Sequence, residues 1–185
     1  MQEPKRELNI AQAHFGSEVR RRAPWILLAV AAGIVMIFIG QAYEEAFSAK
    51  VELVLFIPVI VYMSGAIGTE TVALFVRELA LGRLKLSRIL LKEILVGLSL
   101  GAIAGAALGL FAYLWFRDIE LAVVVGSTLV INGLMAVVIG MMMPVIFSLL
   151  RRDPAVGTDE LTTALTDNLS LLVYFAVAAT MLFRL

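Results

Sequence analysis

Apolar residues recur in five long runs separated by short charged stretches, and each run reaches the roughly 20 residues that a helix needs to cross the hydrocarbon of a bilayer. The runs are Pro24 to Phe47, Leu53 to Val76, Ile94 to Phe116, Leu121 to Leu150 and Leu161 to Phe183. They predict an all-α, polytopic membrane protein with five transmembrane helices. Pro24 opens the first run at the favourable first-turn position, whereas Pro58 and Pro144 fall inside the second and fourth, where they are expected to kink the helix. The fourth run is longer than a bilayer requires, which predicts tilt or an overhanging end. The first is too long for the apolar core of a secretory signal peptide and is expected to stay as an anchor. Residues 1–23 form a short basic segment ahead of one membrane domain, residues 24–185. In that segment Leu8, Ile10, Phe15 and Val19 stand among charges, a pattern that fits either an interfacial amphipathic helix or a disordered tail.

Charge placement orients the chain. Of 15 Lys and Arg, 12 lie before the first run, between the second and third, or before the fifth, leaving only Lys50, Arg117 and Arg184 for the opposite side. The positive-inside rule then puts the N-terminus in the cytoplasm and the C-terminus outside, in the inner (plasma) membrane. Apolar residues at 61% and a mean hydropathy of +0.96 exclude a soluble domain of any size, and nothing in this balance suits nucleic acid. The chain has no cysteine, and its one histidine, His14, has no second ligand at metal-binding spacing. Zinc or copper chemistry is therefore not expected, nor is enzyme chemistry or a bound cofactor.

Polar residues inside the runs carry the candidate chemistry. Gly97, Gly101, Gly105 and Gly109 recur every four residues in the third run and predict close helix packing. In the fourth, Gly126, Gly133 and Gly140 recur every seven with Asn132 beside one of them, and Asn132 suits a hydrogen bond to a neighbouring helix better than a substrate contact. In the fifth, Glu160, Thr163, Asp167, Ser170 and Tyr174 share one face by their three-four spacing. Asp167 lies about six residues inside that run, at a depth where a charge costs roughly 2.5 to 3.5 kcal/mol, so it calls for a cation, a partner or water. In the second run Ser64, Gly65, Gly68, Thr69, Glu70 and Thr71 form a polar patch where the backbone could open toward a cavity. Glu70 and Asp167 are expected at similar depth, with Asp159 at the cytoplasmic start of the fifth run. Carboxylates, hydroxyls and carbonyls are hard oxygen donors that suit Mg²⁺ or Ca²⁺. Asp167, Glu70, Asp159, Thr163, Thr166 and the backbone of Gly68 are therefore the candidate metal site, with the divalent ion as transported cargo. The alternative is that Asp167 and Glu70 pair with Arg77 and Lys92 near the interface.

Several short motifs occur in order across this chain: Phe56-Ile57-Pro58-Val59-Ile60, the Gly68-Thr69 stretch, Val76-Arg77-Glu78-Leu79-Ala80-Leu81-Gly82, Asp153-Pro154-Ala155-Val156 and Thr162-Thr163-Ala164-Leu165-Thr166-Asp167. With them the chain resembles the membrane domain of the MgtE magnesium channels and their eukaryotic solute-carrier relatives. The resemblance implies a five-helix domain that forms a homodimer, a central cation path lined by the second and fifth helices, and Asp167 as the ion-binding aspartate. It also marks three departures. Only about 23 residues precede the first run, so the family's gating through cytoplasmic CBS modules is not expected within this chain, and a separate regulatory protein becomes a candidate partner. Gly65-Ala66-Ile67-Gly68-Thr69-Glu70 stands where the family usually reads Gly-Asn-Ala-Gly-Thr-Gln. Gly157-Thr158-Asp159-Glu160 replaces a neutral run. The expected function is passive influx of a divalent cation, Mg²⁺ first, through a homodimeric pore in the lipid bilayer. A proton- or cation-coupled metal exchanger and a non-transporting membrane scaffold are the alternatives.

Overall fold

The computed structural model describes residues 15–44, 48, 50–81, 86–151 and 157–182. Five long helices carry the chain: α1 (Phe15–Ala42), α2 (Glu52–Ala80), α3 (Leu86–Phe116), α4 (Ile119–Leu149) and α5 (Thr158–Leu182). All five are long and apolar enough to cross a membrane, and no strand occurs among the described residues. His14 and the residues before it lie outside the described part. Pro24 does not open α1. The helix begins nine residues earlier at Phe15 and runs through residue 23, so of the two readings of this stretch its described part is helical, continuous with the span. Neither Pro58 nor Pro144 interrupts its helix.

The central element is α4, which packs against α2, α3 and α5, while α1 docks on α5. Its centrality follows from composition, because α4 carries buried residues all along its length and has no polar face to present to a neighbour's exterior. The predicted glycine seam joins α3 to α4. Methyl groups on Gly97 and Gly101 would come within 2.7 and 2.6 Å of the carbonyl oxygens of Gly133 and Leu129, and one on Gly105 would overlap the Gly126 carbonyl. Only glycine allows the backbones to approach so closely.

Two apolar clusters fill the bundle. One, around Leu53, Phe56, Leu121, Tyr174 and Phe175, lies toward the Lys50 end, and the other, around Ile67, Phe75, Val137 and Met141, toward the Arg77 end. The Tyr174 hydroxyl donates to the Leu53 carbonyl at 2.9 Å, tying α5 to the first turn of α2. At the Arg77 end the Trp25 ring lies 5.7 Å from that of Phe147 and against Gly157, whose φ of 86° and missing side chain make room for the indole just before α5 begins.

At the other end Asp118 caps α4 by accepting from the Leu121 amide at 3.0 Å and pairs with Lys50 at 2.5 Å, joining two connections. Burial pushes the Asp118 carboxyl up, but the Lys50 ammonium and the helix amides outweigh it and hold it below its ordinary value of 3.8. A depressed carboxylate contributes stability above its ordinary pKa and loses it as pH falls through the folded value. Asp118→Asn should therefore melt lower than the native chain at neutral pH, by about 1 kcal/mol or less, and the gap should close as pH drops below 3.8. Thermal melts of both proteins across pH check this, and a gap independent of pH would show that neither the Lys50 pair nor the amide cap draws its strength from the Asp118 charge.

Candidate functional site

The site sits where α2 and α5 cross antiparallel, between the two apolar clusters. Methyl groups built on Gly65 and Gly68 would meet Asp167 Oδ1 and Thr166 Oγ1, each at 3.2 Å. The small residues of α2 thus make room for the polar side chains of α5. Asp167 is half-buried, and its carboxylate has neither hydrogen bond nor ion pair among the described residues. A carboxylate held in a membrane-spanning helix without a partner is costly.

The polar face of α5 divides into two rows. Thr158, Thr162, Thr166, Ser170 and Tyr174, four residues apart, are buried at 2% exposure or less, while Glu160, Thr163 and Asp167 are half-exposed beside them. Ser170 and Tyr174 therefore do not share the open face of Asp167, as the three-four spacing suggested. The Ser170 carbonyl accepts from Asn132 Nδ2 at 3.4 Å, which gives Asn132 the helix-joining role expected of it. The hydroxyls of Thr162 and Thr166 have no hydrogen-bond partner among the described residues, and Thr166 Oγ1 points toward Gly68. The sequence signal for this buried row was the strict four-residue spacing, masked by the three-four pattern beside it.

The polar patch of α2 remains helical throughout. Ser64 and Thr71 turn their hydroxyls back onto the carbonyls of Ile60 and Ile67 at 2.7 and 2.8 Å, and Thr69 onto Ala66 at 3.2 Å. The expected opening of the backbone is absent because each hydroxyl finds an acceptor on its own helix. The Gly68 carbonyl is also turned away from α5, since a methyl group on Gly140 of α4 would lie 2.7 Å from it. What Gly68 offers the site is space, not an exposed oxygen.

Register separates the acids. With Gly65 opposite Asp167 and Gly68 between Thr162 and Thr166, Glu70 lies five residues, about 7.5 Å along the helix, nearer the Arg77 end than Asp167, and not at the same depth. It is exposed, and no contact with Arg77 or Lys92 forms among the described residues. Asp159 is exposed in the first turn of α5, with Glu160 beside it. In depth the acids thus run from Asp159 past Glu70 to Asp167. No group of three or more metal-ligating side chains forms among the described residues of one chain. Glu93, on α3 and only 9% exposed, is an acid inside the bundle that the span boundaries hid, because it falls one residue before the third apolar run.

A family profile described as "MgtE: Divalent cation transporter" matches residues 57–177. Magnesium transporter MgtE of Bacillus subtilis (strain 168) is 30% identical over 161 residues, which is 85% of this chain and 36% of that protein. The Magnesium transporter MgtE of Thermus thermophilus is 33% identical over 164 residues, 87% of this chain and 36% of that protein. That of Enterococcus faecalis is 31% identical over 162 residues, 86% of this chain. The chain thus spans 36% of the length of these curated relatives.

Proposed function

Since this chain belongs to the MgtE family of divalent cation transporters, we propose that it passes divalent cations, Mg²⁺ first, across the plasma membrane along a path lined by α2 and α5. The observation that carries this reading is the partnerless, half-buried carboxylate of Asp167 set against Gly65. Mg²⁺ surrenders its water reluctantly and is commonly held by one or two carboxylates, with the rest of its shell retained. Among the described residues, one chain brings one partnerless carboxylate to the α2–α5 crossing. A homodimer whose two-fold axis follows the membrane normal supplies two, matching the charge of the ion. Thr163, half-exposed one turn from Asp167, and the unpartnered Thr166 hydroxyl add neutral oxygens, and Glu70 and Asp159 set the field at the mouth. By the distribution of Lys and Arg that mouth is cytoplasmic. A membrane potential moves a divalent ion inward by about 4.6 kcal/mol per 100 mV, so passive influx needs no other energy source.

Uptake of Mg²⁺ into liposomes containing only this protein tests the reading. No uptake by assembled protein would favour a scaffold, and uptake that requires a pH gradient would favour a metal–proton exchanger. Cysteines placed at Ala66, exposed beside Gly65, should cross-link between chains. A strictly monomeric protein that still conducts would remove the dimer.

Glu70 bears on affinity. A charge at the mouth raises the local concentration of every divalent ion without distinguishing among them. Glu70→Gln, nearly equal in volume, should weaken the apparent affinity for Mg²⁺, Ca²⁺ and Mn²⁺ alike, severalfold, and leave their ranking in place. Competitive uptake measures it. An unchanged affinity would exclude Glu70 from the path.

A further inference from the structure

Between α2, α3 and α4, toward the Arg77 end, lies a cleft of about 240 Å³ whose lining is entirely apolar, including Phe75, Leu90, Val138, Met141, Met142 and Ile146. It exists because α2 and α3 both pack on α4 and scarcely touch each other. The glycine seam draws α3 tightly onto α4, and the gap left beside α2 is floored by Phe75 and Met141, 4% and 5% exposed. Along α4 the cleft runs from Val138 to Ile146, about 12 Å. Its side is continuous with a helix surface on which Leu90, Leu91, Leu95 and Met142 are all exposed, the surface that spanning helices turn to hydrocarbon.

We propose that this cleft is a binding site for one acyl chain of a membrane phospholipid. An empty slot of this size forfeits dispersion contacts along its walls, and the medium beside it is acyl chain. Its depth fits such a ligand, because Arg77 follows Phe75 by two residues and Arg151 follows Ile146 by five on helices that run the same way, placing one end of the cleft at the level of charged side chains where a phosphate sits. Two methionines in the wall adapt to a flexible chain. The site stands apart from Asp167 and does not depend on the cation reading. A seated chain would brace the Arg77-end half of α2, whose Thr71, one turn before Phe75, packs on Gly140 of α4.

The test uses the full chain in vesicles of phosphatidylcholine doped with a phospholipid carrying a diazirine in its acyl chain. Photolabelling should reach Phe75 and Met141, which bulk lipid touching only the outer surface cannot reach. Val138→Phe, which fills the cleft, should abolish those two labels and leave the labels on exposed Leu91 and Leu95 unchanged. Should Val138→Phe fail to fold, Met142→Phe closes the same cleft from its open side and carries the same expectation. Labels confined to Leu91, Leu95 and their exposed neighbours in the native chain would overturn the proposal. So would labels on Phe75 and Met141 that survive both filled variants, or labelling by a diazirine fatty acid where the phospholipid probe gives none.

Discussion

Asp167→Asn should reduce divalent cation flux at least about tenfold, the equivalent of 1.4 kcal/mol, while the protein still folds and assembles. The substitution keeps the shape of the side chain beside Gly65 and removes its charge. No ion pair or hydrogen bond to the carboxylate is lost, because none forms among the described residues. Removing a half-buried charge that nothing offsets should leave stability equal or improved. Flux and melting temperature measured on one preparation separate the roles, and unaltered uptake by assembled Asp167→Asn protein would reduce Asp167 to a structural residue. Gly65→Ala grades the effect: its methyl group would lie 3.2 Å from Oδ1, so the carboxylate must yield by a few tenths of an ångström. Flux should fall less than in Asp167→Asn while the charge remains.

The largest loss of stability is expected in Gly105→Leu. Its Cβ would overlap the backbone carbonyl of Gly126, which cannot rotate aside. Accommodating it means moving α3 off α4, and with it the close approaches at Gly101 and Gly109. Because α3 packs almost wholly on α4, no other contact compensates. Overpacking commonly costs about 1 to 3 kcal/mol, and a backbone collision should lie at or above the upper end. Gly33→Leu is the control, since nothing lies within 4 Å of a Cβ there. Thermal melts in detergent decide it, and equal melting temperatures for Gly105→Leu and the native chain would show that the seam does not hold α3.

Much of the architecture was legible because each signal is local. The five spans follow from runs of apolar residues, and their observed ends fall within a few residues of the reading except at the starts of α1 and α3, where charged turns continue a helix that hydropathy cannot see. The four-residue glycine period announced a close helix contact, and Asn132 a hydrogen bond between helices. Asp167 stood out because an uncompensated charge in an apolar run has few explanations.

Which polar groups face which neighbour was not legible. The spacing of Thr163, Asp167, Ser170 and Tyr174 is compatible with one face, but 3.6 residues per turn leaves a spread of angles wide enough for Ser170 to be buried and Asp167 half-open. Only the packing of α4 and α2 around α5 decided the division. Likewise, the depth of Glu70 relative to Asp167 depends on how two antiparallel helices slide along each other. That register is set by Gly65 and Gly68 meeting Asp167 and Thr166, a contact between residues about 100 positions apart that no local pattern encodes. By itself the sequence determined that this protein lives in a bilayer, and the helices it spans it with. The tertiary structure decided which acid stands open beside a glycine, because burial and register are properties of pairs of helices and not of any one.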